Sequence, residues 1–135
     1  MTLIVDASVA IKWVLDEEKS PDARRLPETD RLAAPELMLL ECANVLAIRV
    51  KRGLISTAEA EAAYVALNLM PVRTIASRQH IARAQAIAME LGQSVYDSLY
   101  LAVALAEGAV FVTADAAFAR AAQARAHYSE TVRPL

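Results

Sequence analysis

Ala109-Val110-Phe111-Val112-Thr113-Ala114-Asp115 is the stretch that decides the fold. Its first five residues are apolar or β-branched, too few for a helix, and suited to a buried strand. Gly108 closes the helical pattern before it, and Asp115 begins another after it. A buried strand framed by two helices is one crossover unit of a parallel sheet.

The pattern recurs outward from there. Thr2 to Val5 is a short apolar run ending at Asp6, followed at once by an apolar helix over Ala7 to Leu15. Ser20-Pro21-Asp22 opens a short polar helix, with Pro21 suited to its first turn. Arg31 to Ala34 reads as a second strand, after which Pro35 starts a long helix to about Arg52, stopped by Gly53. Ser56 and Glu59 form a capping box for a helix reaching about Leu69. Pro71 to Ile75 is a third strand. Ser77 caps a helix ending at Gly92, and Ser94 begins one closed by Gly108. Beyond Asp115 a last helix runs to about Ala124, and Ser129 to Val132 reads as a short final strand. Strands separated by helices predict an α/β sandwich on a parallel sheet. In such a sheet ligands bind outside the carboxyl ends of the strands, where the strand order reverses.

Composition narrows the function. The chain has 135 residues and a formal net charge of -2, so one domain over 1–135 is expected. Hydrophobic residues make up 56%, which argues against disorder. No run of roughly 18 apolar residues is free of charge, so no membrane span is expected. The N-terminus lacks the basic region of a signal peptide, and the single Cys42 excludes an internal disulfide or a zinc ribbon. A cytoplasmic protein is the plain reading. The three glycines cannot build a phosphate-cradling loop.

Four acids sit in apolar surroundings: Asp6, Glu41, Asp97 and Asp115. Asp6 and Asp115 follow strands, where an aspartate also serves as a helix N-cap. Asp97 is three residues after Ser94, the place of a capping-box acid. Glu41 is harder to explain. Its neighbours one turn away are Leu37, Met38, Asn44 and Val45, so it lies on an apolar stripe with no nearby cation. A buried carboxylate needs either a distant Arg or a metal. Together the four carboxylates would repel strongly, by about 3 kcal/mol for a pair about 5 Å apart at an effective dielectric near 20. Such a cluster calls for a hard cation or raised pKa values. All-oxygen ligands select Mg²⁺ or Mn²⁺ over zinc, and such a metal suits phosphodiester hydrolysis. His80 and His127 lie next to none of these acids.

Four segments carry a resemblance: Val5-Asp6-Ala7-Ser8, Glu41-Cys42-Ala43-Asn44-Val45-Leu46, Tyr96-Asp97-Ser98-Leu99-Tyr100-Leu101-Ala102-Val103-Ala104 and Val112-Thr113-Ala114-Asp115. Each is weak alone. In this order and spacing they resemble the motifs of PIN domains, and the length resembles VapC-type toxins of bacterial toxin–antitoxin modules. The resemblance implies a five-stranded parallel sheet with helices on both faces, a three-layer α/β/α sandwich. It also implies an Mg²⁺- or Mn²⁺-dependent ribonuclease, usually a homodimer held inactive by a VapB-type antitoxin. Carried over by position, Asp6, Glu41, Asp97 and Asp115 are the metal-coordinating acids. Ser8 and Thr113 would be hydroxyls supporting them, and Asn44, one turn past Glu41, a further candidate. Some relatives carry another polar or acidic residue where this chain has Ala116-Ala117-Phe118, so the resemblance leaves one or two ions open.

The helix over Ala7 to Leu15 is apolar on every side, and Leu37-Met38-Leu39-Leu40 follow one another in the long helix. Either neighbouring helices cover these or apolar surface remains for a partner; the resemblance points to the partner. Arg49, Lys51 and Arg52 read as a solvated helix end, with RNA-backbone contact as the alternative. A receiver-like phosphoacceptor lacks its residues here: Asp6 has no acidic neighbour and the last lysine is Lys51. A catalytically inactive PIN-like binding module is the remaining rival, and the complete set of four acids argues against it.

Overall fold

Short β-branched and apolar runs form the centre of the molecule. In the computed structural model, which describes residues 1–135, they are five strands: β1 (Thr2–Val5), β2 (Arg31–Pro35), β3 (Val72–Ile75), β4 (Val110–Thr113) and β5 (Val132–Pro134). They make one sheet in the order β3-β2-β1-β4-β5, with every neighbouring pair parallel. Seven α-helices connect them: α1 (Ala7–Val14), α2 (Ser20–Thr29), α3 (Leu37–Lys51), α4 (Thr57–Asn68), α5 (Ile81–Leu91), α6 (Val95–Glu107) and α7 (Ala116–Gln123). Right-handed crossovers place α1 to α4 on one face of the sheet and α5 to α7 on the other. This is the α/β/α sandwich with a five-stranded parallel sheet that the sequence predicts.

The order of strands fixes where chemistry can occur. From β1 the chain steps through β2 to the edge strand β3, then returns past β1 to β4. The order therefore reverses between β1 and β4, and their carboxyl ends open a crevice. Val5 is level with Val112 in the β1–β4 ladder, which brings Asp6 beside Thr113.

α6 buries nearly a whole helix side against the sheet. Seven consecutive residues, Ser98 to Ala104, are buried in it, and it packs over β1, β2 and β4. Tyr100 stacks on Phe111 with ring centroids 5.6 Å apart, and Phe118 meets Phe111 edge-on at 5.7 Å. Such aromatic pairs add about 0.5–1.5 kcal/mol each beyond their buried area.

The structure departs from the expected elements in four places. Pro35 ends β2 and pairs with Ile75 of β3, and α3 starts only at Leu37. The ladder to β1 has already stopped at Ala33, so the N–H that Pro35 lacks is not needed on that side. Ser77 makes no side-chain cap; a 3₁₀ turn over Arg78–His80 leads into α5 instead. The final strand is Val132–Pro134 rather than Ser129 to Val132, because the amides of Thr131 and Val132 both bond back to the Tyr128 carbonyl in a turn.

The fourth departure concerns apolar surface. α1 leaves little exposed: Val9, Ala10, Ile11 and Trp13 are buried under α2, α3 and α4, and Trp13 Nε1 donates to the Ala23 carbonyl at 2.8 Å. Exposed apolar residues lie instead on α3 (Leu40), on α4 (Val65) and just past its end (Leu69), on α5 (Ile81, Met89) and at the start of α6 (Val95, Tyr96). No helix is long and apolar enough to cross a membrane.

Candidate active site

Asp6 and Asp115 each begin a helix at the end of a strand, and both do cap it. Asp6 Oδ1 accepts from the Val9 amide at 3.2 Å, and Asp115 Oδ1 accepts from the Phe118 amide at 3.1 Å. Capping does not exhaust them. Both line one cavity of about 460 Å³ at the carboxyl ends of β1 and β4, together with Glu41 from α3 and Asp97 from α6. Acids from four separated segments thus meet at the point where the strand order reverses.

Ser8 and Asn44 also line the cavity, while Thr113 lies buried behind Asp6. Ser8, in the first turn of α1, donates to Asp6 Oδ1 at 2.5 Å. Thr113, the last residue of β4, donates to Asp6 Oδ2 at 2.5 Å. The same two hydroxyls accept from the amides of Ala114 (2.9 Å) and Asp115 (3.0 Å), which ties the two strand ends together. Asn44 lines the cavity from α3, exposed, one turn beyond Glu41.

Asp97 is a half-used cap. At the start of α4, Ser56 and Glu59 form both hydrogen bonds of a capping box. At the start of α6 only one is made: the Asp97 amide donates to Ser94 Oγ at 3.0 Å. The Asp97 carboxylate is not turned back onto the Ser94 amide and faces the cavity.

Glu41 has a partner that sequence reasoning missed. The Tyr100 hydroxyl donates to Glu41 Oε1; no distant arginine fills that role. The signal was present: Tyr100 follows Asp97 by three residues, so both lie on one face of α6. Lys12, Glu17 and Arg49 also line the cavity. Arg49, expected at a solvated helix end, is instead bonded to Glu17 at 2.6 Å, and Lys12 reaches the same carboxylate at 3.3 Å.

None of the four cavity acids is paired with a cation of the chain. Their affinities for protons reflect this. Burial pushes the Asp6 carboxyl up to about 6 against the pull of its three hydrogen bonds, and the Asp97 charge adds to the rise. Burial also raises Asp97 against the pull of the Ser94 hydroxyl, with the Asp115 charge adding to the rise. Glu41 is raised by burial, opposed by the Tyr100 hydrogen bond and reinforced by Asp97. Three carboxyls held above their ordinary range by burial and by one another are a site short of positive charge.

The donor set suits a hard dication: carboxylate oxygens, hydroxyls and an amide, with no imidazole in the cavity. Cys42, beside Glu41, is buried and its thiol is pushed up to about 12 by burial, so it stays protonated. The four carboxylates share the cavity without closing into a cage of three or more converging ligands.

Comparison with known proteins agrees with this architecture. The chain belongs to the PIN domain family, whose model matches residues 3–124. Within that family it is of the VapC type: over 120 residues it is 32% identical to Ribonuclease VapC3 of Pyrobaculum aerophilum, covering 85% of this chain and 90% of that protein. The fold matches PAE2754 of Pyrobaculum aerophilum with a TM-score of 0.72 at 23% identity, over 90% of this chain and 87% of that one. It also matches Mycobacterium tuberculosis VapC20, a toxin described as cleaving the sarcin-ricin loop, with a TM-score of 0.68 at 18% identity, over 88% of this chain and 94% of that one. A third match is VapBC2 of Rickettsia felis, solved bound to a fragment of promoter DNA, at a TM-score of 0.66 and 13% identity, covering 99% and 98% of the two chains.

Proposed function

We propose that this protein is an Mg²⁺- or Mn²⁺-dependent endoribonuclease, the toxin of a type II toxin–antitoxin pair, acting in the cytoplasm. The observation that carries the reading is that Asp6, Glu41, Asp97 and Asp115 line one cavity with no cation paired to any of them. These four would hold the ion. A bound divalent ion supplies two things there: water acidified enough to attack, and positive charge against the phosphodiester oxygens.

The chain's own groups do the rest. Ser8 and Thr113 fix both oxygens of Asp6, so its carboxylate cannot rotate away. The Tyr100 hydroxyl holds Oε1 of Glu41 and leaves Oε2 open to the cavity. The Asp115 cap holds Oδ1 and leaves Oδ2 open. The toxin role, a VapB-type antitoxin and a homodimer rest on the kinship with VapC proteins. The exposed apolar residues of α3, α4, α5 and α6 give such partners surface to cover.

The test is RNA cleavage by the purified protein with Mg²⁺, Mn²⁺ or EDTA, alongside Asp6→Asn and Asp97→Asn. Cleavage by the wild type with a divalent ion, lost in EDTA and in both variants, is the expected result. Undiminished cleavage by either variant removes the site assignment. Binding of the small protein encoded beside this chain, with no cleavage of any RNA offered, favours an inactive binding module. In cells, expression alone should arrest growth, and co-expression of that neighbour should relieve it.

A further inference from the structure

Two cations share the acid-lined cavity yet avoid its four acids. Lys12 follows Ser8 by one turn of α1, and Arg49 follows Glu41 by two turns of α3, about 6 and 12 Å further along their helices. From there both converge on one carboxylate. Lys12 Nζ lies 3.3 Å from Glu17 Oε1, and Arg49 Nη2 lies 2.6 Å from Glu17 Oε2. Glu17 comes from the short connection between α1 and α2, where its amide is anchored on Ser20 Oγ at 3.0 Å.

The charges of this triad do not cancel. One carboxylate offsets one of the two cations and leaves a net positive charge on the cavity wall. Each cation spends only one hydrogen bond on Glu17, so most donors of the Lys12 ammonium and the Arg49 guanidinium are free. None of the three is freely solvated: their side chains are 13%, 22% and 29% exposed for Lys12, Glu17 and Arg49. Burial works against ionising Glu17, yet its carboxyl is held below the usual range because the two cations outweigh that cost. A helix end needing charge complement would be served by Arg49 alone in water. Joining it to Lys12 through a half-buried acid fixes two cations in position at the edge of a cavity that otherwise repels polyanions.

We propose that Lys12 and Arg49 form a subsite for a backbone phosphate of the RNA strand next to the bond cut between the four acids, with Glu17 as the positioning residue that holds both. This rests on the ribonuclease reading above and extends it to how the substrate is held. Arg presents a planar fork to phosphate oxygens, and Lys adds a point charge. Their offset of about 6 to 12 Å along the two helices suits a phosphate one or two nucleotides from the reacting one. Contact to the backbone alone is blind to sequence, so the subsite sets affinity and register rather than the RNA target.

The experiment measures binding and cleavage separately. Binding of a short, mixed-sequence, fluorescein-labelled single-stranded RNA is followed by anisotropy in the Asp97→Asn protein without divalent ions, across a salt series. Arg49→Gln and Lys12→Gln are each expected to weaken binding at least fivefold and to lower the salt slope by about one. Arg49→Lys should keep the slope. Glu17→Gln should weaken binding with the slope unchanged, since both cations remain. With Asp97 restored and Mg²⁺ present, the same substitutions should raise KM more than they lower kcat. Should Arg49→Gln fail to fold, Lys12→Gln carries the test, since its partner is a single hydrogen bond. Unchanged affinity and slope in Lys12→Gln and in Arg49→Gln overturn the subsite. If the wild type cleaves while these variants bind and cut as it does, the subsite falls and the nuclease reading stands. If the variants lose binding but no protein cleaves, the subsite stands and the nuclease reading falls. A wild type that neither binds nor cleaves RNA overturns both.

Discussion

Tyr100 on α6 donates its hydroxyl proton to Glu41 on α3, so one hydrogen bond joins helices from the two layers at the mouth of the cavity. The ring is fully buried and stacked on Phe111. Burial, and next the hydrogen bond to Glu41, raise the hydroxyl's pKa further, so it stays a donor at any physiological pH. Tyr100→Phe keeps the stack and removes only the donor. The half-buried Glu41 carboxylate then loses its one protein partner. Hydrogen bonds to charged groups contribute about 1.5–3 kcal/mol, and the residual solvation of Glu41 brings the expected loss to about 1–2 kcal/mol. Urea unfolding at neutral pH measures it; an unchanged midpoint shows that the bond contributes nothing to stability.

Asp6 gives the metal-free protein an unusual dependence on pH. Its carboxyl is raised from 3.8 to about 6, chiefly by burial. Between those values the folded chain holds a proton that the unfolded chain has released. Stability from this group is therefore fully present below about pH 4 and lost as pH rises through 6. Over the window the change is of order 2–3 kcal/mol. Glu41 and Asp97 are shifted in the same direction and steepen it. Glu17 and Glu90 are shifted the other way, so their effect falls below the ordinary glutamate range. Unfolding midpoints in EDTA should fall from pH 4.5 to 7.5, and Asp6→Asn should flatten the curve. A midpoint that rises across that range contradicts the assignment.

The strands and the four acids were legible because each rests on local pattern. β4 is an apolar run between Gly108 and Asp115, and Asp6 ends another. What failed depended on distant partners. Pro35 looks like a helix start until β2 is seen to outrun β1. Arg49 looks like a solvated helix end until Glu17, 32 residues earlier in the chain, is seen to reach it. Tyr100 could be placed on the Asp97 face of α6 from spacing alone, but its partner could not be read, because Glu41 lies 59 residues away. The apolar faces of α1 suggested a docking surface, but α2, α3 and α4 cover them, which periodicity within one helix cannot reveal.

Ser98 is the weak point of α6. It is fully buried, and its hydroxyl finds no hydrogen-bond partner among the protein's groups. An unmet buried hydroxyl costs about 1–3 kcal/mol, and alanine is the better helix former by a few tenths. Ser98→Ala should therefore stabilise the protein by about 1 kcal/mol or more and leave cleavage intact. Thermal melts test the first part. A lower melting temperature means that the hydroxyl has a partner in solution.

The four carboxylates also act as a group. Without a cation they repel one another inside the fold, and three of them are held above their ordinary pKa range. Asp97 is the one whose carboxylate caps no backbone amide and is held by the Ser94 hydroxyl alone. Removing its charge should therefore stabilise the metal-free protein while abolishing cleavage. Mg²⁺ should act on the wild type instead, because it binds the converged acids and not the dispersed ones of the unfolded chain. At tenfold above its dissociation constant it adds about 1.4 kcal/mol. For a chain of this length that raises the melting temperature by about 3–6 °C. Calcium can fill such a site without the tight octahedral geometry of Mg²⁺, so it should stabilise without supporting full activity. Melts of the wild type and Asp97→Asn, with EDTA, Mg²⁺ or Ca²⁺, separate these effects. If metal leaves the wild type unchanged and Asp97→Asn is the less stable in EDTA, then Asp97 serves the helix start alone and the four acids share no ion.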